Sequence, residues 1–206
     1  MNIKTLVASM ILATSIGTAT QALTITPAIE YATAGTLTDS SPYTLGYSFS
    51  LSAATPVNAL GYWNNGRAND HRVGIWDSVG TLVGSTTVLG TDAIVGNFRW
   101  HAINLNLAAG TYTIGGEFLG DGTFNSFASG VVTIPTYTYL GDRQIFGAGL
   151  NFPTVNTGGI YGSNGILEVS FSVGNAVPEP ATWALMIGGF GMVGVAARRR
   201  RTAVTA

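Results

Sequence analysis

Apolar side chains alternate with small ones along much of residues 23–176, and this period of two restricts the fold more than any other feature. Leu45, Tyr47, Phe49 and Leu51 give the clearest example, with glycine or serine at each intervening position. Successive side chains of a β-strand point to opposite faces of a sheet, so such a segment buries one face. No segment of useful length between residues 23 and 176 has the period of a helix.

Turn signals separate these segments at intervals of about 8–12 residues, which is typical of antiparallel sheets. Val73–Trp76 and Thr81–Gly84 are predicted to form a hairpin, with Asp77 first and Gly80 last in a type I turn. Further strands are predicted at Ile103–Leu107, Tyr112–Phe118, Val131–Ile134 and Leu167–Val173. The many glycines are interpreted as turn residues. We therefore expect an all-β fold, an antiparallel β-sandwich of the immunoglobulin-like or jelly-roll-like kind, with eight or more strands.

Residues 1–22 have the pattern of a secretory signal peptide, which is expected to be helical. Lys4 is the only early charge, and the stretch from Leu6 to Ala19 is apolar or small. Thr20 and Ala22 place small residues three positions and one position before a cut after Ala22. Signal peptidase is therefore an expected partner, and a buried N-terminal helix is the alternative.

The last thirty residues combine an extended motif, an apolar segment and a basic cluster. Pro178, Glu179 and Pro180 precede Trp183 and Ala184, and the chain is uncharged from there to Ala197. The cluster consists of Arg198, Arg199, Arg200 and Arg201. Arginines flanking a membrane span stay in the cytoplasm, which places the preceding domain outside it. The span would be about 22 Å long as a helix, which is short for a hydrocarbon core of about 30 Å. We expect a transmembrane helix that is held briefly for processing.

This order of features resembles the PEP-CTERM sorting signal, in the variant with Pro-Glu-Pro, two free positions and Trp-Ala. The resemblance implies a Gram-negative, exopolysaccharide-producing bacterium whose inner-membrane exosortase recognises Pro178–Pro180 and removes the tail. It also implies transient anchoring in the inner membrane, followed by release to the cell surface or the extracellular matrix. A single-span anchor that is never cut is the alternative.

Three segments are therefore predicted: a signal peptide at 1–22, a β-sandwich domain at 23–176 and a sorting signal at 177–206. The central segment is long enough to bury one core. It holds nine acidic and four basic residues, hence a net charge of −5, and we expect no binding to nucleic acid. The chain has no cysteine, which excludes thiol catalysis and cysteine-ligated metals.

Residues 71–118 also resemble an immunoglobulin-like sandwich domain of unknown function, which is often found in bacterial surface and carbohydrate-associated proteins. The resemblance rests on Val73–Asp77, Gly80–Val83, Trp100, Leu105–Leu107 and Gly110–Tyr112. It implies a sandwich fold and no catalytic residues.

The segment from Tyr62 to His71 is predicted to be a loop that binds a ligand. Its candidate binding residues are Trp63, Asn64, Asn65, Arg67, Asp70 and His71. Sugars are bound by aromatic rings against their apolar faces and by polar side chains on their hydroxyls. The alternative is a hydrophilic hairpin loop with Trp63 turned into the core.

Patterns for metal binding or catalysis are scarce. His71, His101 and a carboxylate would offer ligands, but no HExxH and no pair of histidines four residues apart is present. Asp121–Asn125 and Asn69–Asp70 offer the oxygen ligands that calcium prefers, although Asp-Gly is first of all a turn signal. We therefore predict no catalytic residue and no cofactor, with calcium as the ion these ligands would suit.

The predicted function is that of an exported, non-enzymatic protein with a structural or adhesive role in an exopolysaccharide or biofilm matrix. A protein like a carbohydrate-binding module, acting through the loop around Trp63, is the first alternative. A polysaccharide hydrolase is the second, and it would need two carboxylates about 5–10 Å apart in a cleft.

Overall fold

In a computed structural model, the described part of the chain comprises residues 23–120, 122–162 and 164–174, with single positions at 187, 190 and 191. Leu23–Val177 forms one compact unit. Within its described residues, thirteen β-strands form, and all of their pairings are antiparallel. The strands are β1 Ile29–Glu30, β2 Thr33–Asp39, β3 Tyr43–Leu51, β4 Thr55–Trp63, β5 His71–Asp77, β6 Leu82–Val88, β7 Ile94–Val95, β8 Phe98–Leu107, β9 Gly110–Phe118, β10 Gly122–Ser129, β11 Val132–Thr133, β12 Tyr137–Phe146 and β13 Val169–Val173.

Two main sheets pack face to face. One has five strands in the order β12-β3-β9-β5-β6, and the other has four in the order β13-β4-β8-β7. The Tyr47 hydroxyl of the first sheet donates to the Val169 carbonyl of the second over 3.1 Å. The Phe49 and Phe171 ring centroids are 5.0 Å apart in the same core. The prediction of an all-β fold with antiparallel sheets is confirmed.

Strand β3 shows why the alternating pattern predicts this fold. Tyr47 and Phe49 are fully buried between the sheets, as the period of two requires. Thr44 and Ser48 on the opposite face are buried as well, so the strand is covered on both faces and not on one as predicted. The predicted turn also forms, because the Gly80 amide donates to the Asp77 carbonyl over 3.1 Å. The Asp77 carboxylate accepts hydrogen bonds from the amides of Val79 and Thr81 and so holds the turn closed.

Several predicted boundaries shift. The strand predicted at Val131–Ile134 is shorter in the structure, where it is β11. Ile134 already begins the turn through Pro135 that leads into β12. Leu167–Val173 begins as a strand only at Val169. Tyr62 and Trp63 end β4 and His71 begins β5, so the predicted loop is confined to residues 64–70.

The two flanking helices were predicted in segments that lie almost wholly outside the described residues. Residues 1–22 are not described, and of the apolar C-terminal segment only Ile187, Phe190 and Gly191 are, each with helical backbone. Within the described residues, no helix has the length and the apolar character needed to cross a bilayer.

The two ends of the sandwich differ. At the end where β4 finishes and β5 begins, two of the connections are long: residues 64–70 join β4 to β5, and residues 89–97 join β6 to β8. We call this the loop end. At the opposite end, which we call the turn end, the connections are short: residues 52–54, 78–81 and 108–109.

Candidate functional site

The connections at the loop end support one another. The Asp70 carboxylate accepts a hydrogen bond from the Gly90 amide over 2.8 Å, which ties residues 64–70 to the connection after β6. The Asn64 amide donates to the Asn97 carbonyl over 2.9 Å. A Cβ on Gly122 would lie 2.6 Å from a guanidinium nitrogen of Arg67, so Arg67 packs against the start of β10. The predicted loop is therefore part of a continuous surface.

The aromatic residues of the predicted binding loop face the core. Trp63 is only 8% exposed and belongs to the main core cluster. Its backbone amide donates to the Glu168 carbonyl over 2.8 Å. Tyr62 is also buried. This position agrees with the alternative in which Trp63 turns inward, and the ring offers no face to a sugar at the surface.

His71 is also buried, at the first position of β5. Its ring stacks on Tyr62 with centroids 3.8 Å apart and an angle of 4° between the planes. Its Nδ1 lies 2.9 Å from the Glu117 carbonyl oxygen. These contacts give His71 a structural role at the start of the strand.

The polar side chains of residues 64–70 shape the loop and provide its charge. The Asn64 side-chain oxygen accepts from the Gly66 amide, and that of Asn65 accepts from the Arg67 amide. Both asparagines therefore stabilise local turns. Arg67 and Asp70 are exposed, so they are the charged side chains that this loop presents to solvent.

A bidentate ion pair lies beside the loop. Arg72 donates from Nε and Nη2 to the two Glu117 carboxylate oxygens over 2.7 and 3.1 Å. The Arg72 side chain is half exposed, whereas that of Glu117 is largely covered. The hydrogen bond from Arg72 lowers the pKa of the Glu117 carboxyl below its usual value, and burial opposes this only in part.

Glu117→Gln is expected to destabilise the fold in a pH-dependent way. A lowered pKa in the folded state stabilises the protein above the unfolded-state value, which is about 4.3. This contribution is lost as pH falls through the folded-state pKa. Denaturant unfolding should therefore show that the free energy of unfolding differs between parent and variant. This difference should be largest near neutrality and shrink below about pH 4. A difference that stays constant down to acid pH would contradict this role, and Arg72→Gln should show the same trend.

A second pair fixes the connection after β6. His101 Nδ1 lies 2.9 Å from an Asp92 carboxylate oxygen, and that oxygen also accepts from the Leu89 amide over 2.7 Å. The Arg99 guanidinium donates to the Asp92 carbonyl over 3.0 Å. His101 and Arg99 thus hold the connection in place, at the same end of the sandwich as Arg67.

Each described carboxylate accepts at least one hydrogen bond from the chain itself. These residues are Glu30, Asp39, Asp70, Asp77, Asp92, Glu117, Asp142 and Glu168. Hydrogen bonds to the charged form lower the pKa of Asp77 as well as that of Glu117. A general acid in glycoside hydrolysis needs a raised pKa, so these two carboxyls are poised in the opposite direction.

The segments considered for calcium have other contacts. Asp121 lies outside the described residues, and Gly122 to Asn125 belong to β10 rather than to a loop. Asn125 is fully buried, and its side-chain amide donates to the Leu167 carbonyl over 2.9 Å. Among the described residues, no three histidine, aspartate or glutamate side chains converge as metal ligands.

An aromatic pair that was not predicted from the sequence lies at the loop end. Phe146, the last residue of β12, is 68% exposed and lies edge-on to Tyr43, with ring centroids 5.4 Å apart. Tyr43 opens β3 and pairs with Phe146 across the sheet. The only available signal was an aromatic residue between Ile145 and Gly147, which does not show whether the ring faces solvent.

The predicted sorting residues, Pro178, Glu179, Pro180, Trp183, Ala184 and Arg198–Arg201, lie outside the described residues. Residues 176–201, which include all of them, match the family of the PEP-CTERM protein-sorting motif. The match implies export, a transient C-terminal membrane anchor and processing by exosortase. Neither the curated proteins nor the solved structures give a match.

Proposed function

We propose that this chain is a non-enzymatic protein of the cell surface or extracellular matrix, and that its loop end binds exopolysaccharide. The observation that carries the proposal is the opposite placement of two features in one domain. The described chain ends lie at the turn end, whereas the exposed loop residues Arg67 and Asp70 and the exposed Phe146 lie at the loop end.

The hydrogen bonds of the chain ends establish their position. The Gly174 amide donates to the Pro56 carbonyl over 3.0 Å, and Pro56 is the second residue of β4. The Val173 amide donates to the Thr26 carbonyl over 2.8 Å. Gly174, the last described residue of the domain, thus lies at the turn end. A nine-residue strand such as β4 spans about 30 Å, so the loop end lies at the other end of the domain from Gly174.

The loop end also has the chemistry that a sugar polymer requires. Phe146 offers an exposed ring to the apolar face of a sugar, and Arg67 and Asp70 offer a donor and an acceptor to hydroxyls. The domain has a net charge of −5, which would repel a polymer rich in carboxylates. We therefore propose a neutral, hydroxyl-rich polysaccharide as the ligand.

The carboxylates support a role without catalysis. Glu117 is held by Arg72 and Asp77 closes a turn, so both acids contribute to the fold. Glu168 is buried and accepts from the Asn125 amide over 2.7 Å. No observation favours the hydrolase alternative.

Two processing steps would produce the mature protein. Signal peptidase would remove residues 1–22, and the apolar segment up to Ala197 would span the inner membrane as a helix until exosortase acts. The product would then reside in an exopolysaccharide or biofilm matrix.

Phe146→Ala is expected to weaken retention of the exported protein on the host's own exopolysaccharide by about tenfold, because the exposed ring is lost. The measurement is a sedimentation assay with the insoluble polymer over a range of protein concentrations. Val79→Ala is the matched control, because Val79 is 82% exposed at the turn end and should leave retention unchanged.

Two outcomes would contradict the proposal. Absence of retention of the parent protein would remove the link to exopolysaccharide. Retention that is unaffected by Phe146→Ala and by Arg67→Ala would show that the loop end is not the binding surface.

A further inference from the structure

Strand β6 is an open edge of the five-stranded sheet. Within the described chain, it pairs only with β5. At the opposite edges of the sandwich, other segments of the chain pair with part of each strand. Val155 exchanges two backbone hydrogen bonds with Gln144 of β12, and the Ala28 amide donates to the Phe171 carbonyl of β13 over 2.7 Å. The backbone groups on the outer side of β6 are thus left for another strand.

This edge lacks the usual protection against pairing. Ser78–Thr91, which contains β6, has no charged residue and no proline in fourteen positions. Natural edge strands commonly have charges, prolines or bulges that prevent association. The register of β6 does shift opposite Ile75 and Trp76, but Gly84–Val88 pairs regularly with β5. This regular part is uncharged and rich in threonine, which favours strand pairing.

A second open edge lies beside the first. The short β7 pairs with only Phe98 and Arg99 of β8, and Ala102–Leu107 has no strand on that side within the described chain. This segment is also uncharged. A Cβ on Gly84 would lie 2.7 Å from a methyl group of Leu105, so β6 and β8 are in contact at the same side of the sandwich.

We propose that two copies of this chain associate through this side, with β6 pairing antiparallel with β6 of the second copy. An antiparallel pair of identical strands is related by a two-fold axis, so the same edge serves both copies and neither remains open. The same axis brings the two β8 edges towards each other. The acidic residues responsible for the net charge of −5 all lie outside Ser78–Thr91, so pairing opposes no like charges within it.

The test uses the exported protein, as recovered from its host, in sedimentation equilibrium. The parent is expected to be a dimer at a protein concentration of about 100 μM, because a small interface is sufficient for association at that concentration. Ser85→Lys combined with Thr87→Lys places two charges on exposed positions of β6 and should weaken association at least about tenfold. Ser52→Lys combined with Thr111→Lys adds the same charge at exposed positions of the turn end and should remain dimeric.

Hydrogen exchange on the parent provides a readout that does not depend on a variant folding. Amides of Gly84–Val88 should exchange more slowly as protein concentration rises. A parent that is monomeric throughout, a dimer that the edge lysines leave intact, or equal weakening by the control lysines would each overturn the proposal. So would co-purification of a different protein that alone protects these amides.

Discussion

Trp63→Ala is expected to lower the free energy of unfolding by about 3–5 kcal/mol, as is typical when a buried tryptophan is removed. Trp63 ends β4 within the main core cluster, so truncation leaves a cavity between the sheets. Domains of this size have about 5–15 kcal/mol of stability in total, and the variant would retain a fraction of that. Denaturant unfolding followed by tryptophan fluorescence and circular dichroism measures the change.

Arg67→Ala is the matched control, since Arg67 is exposed four residues along the same segment. It should change stability by less than about 0.5 kcal/mol. A Trp63→Ala protein that unfolds like the parent but no longer binds polysaccharide would contradict the structural role of Trp63. It would instead support a sugar-binding role for that ring.

Replacing Pro178, Glu179 and Pro180 together by alanine is expected to abolish processing, leaving uncleaved protein in the membrane fraction. Prolines have no backbone amide hydrogen and bias the preceding residues towards extended backbone. Alanine is the strongest helix former, so the variant would let a helix continue into the segment that exosortase must recognise. Cell fractionation followed by intact-mass measurement detects the retained form.

Thr182→Ala provides the control for this experiment. Thr182 occupies one of the two free positions between Pro180 and Trp183, so its replacement should leave release unchanged. Normal release of the triple variant would show that the motif is not what the processing enzyme reads. Loss of release in the Thr182 variant would show that the recognised segment is longer than Pro178–Pro180.

The period of two was sufficient to predict the sheets, but it did not predict which residues of each strand are buried or where β4 ends. The apolar residues of β3 fill the core as expected, but most of the small residues between them are buried as well, so alternation in the sequence did not mean that one face is exposed. β4 is also buried on both faces from Val57 to Trp63, and its sequence has no regular alternation that reaches Tyr62 and Trp63. Tyr62 and Trp63 therefore looked like the start of the polar segment that follows them.

Several glycines lie inside strands and not in the turns that the sequence predicted for them. Gly46, Gly115 and Gly74 lie in one row across three neighbouring strands, and they do not occupy turns. A Cβ on Gly46 would collide with the backbone of β9, and one on Gly115 would lie 3.2 Å from Pro153. These glycines allow close approach of backbone and of a covering segment. Such a requirement depends on cross-strand register, which one sequence does not reveal.

Only part of the candidate site could be predicted, again because one sequence does not reveal the register between strands. The polar character of residues 64–70 predicted an exposed loop, and Arg67 and Asp70 are indeed exposed there. Phe146 joins the same end of the domain from the far edge of the sheet, more than seventy residues later in the chain. Only the register of β12 against β3 brings it to that end.

The mass of the protein recovered outside the cell tests the central claim most directly. In a host with exosortase, the account predicts a product that begins at Leu23 and lacks Arg198–Arg201 and the apolar segment before them. The same gene in a host without exosortase should give protein that keeps this tail and stays with the membrane. Released protein that still carries the four arginines in the exosortase host would contradict the account.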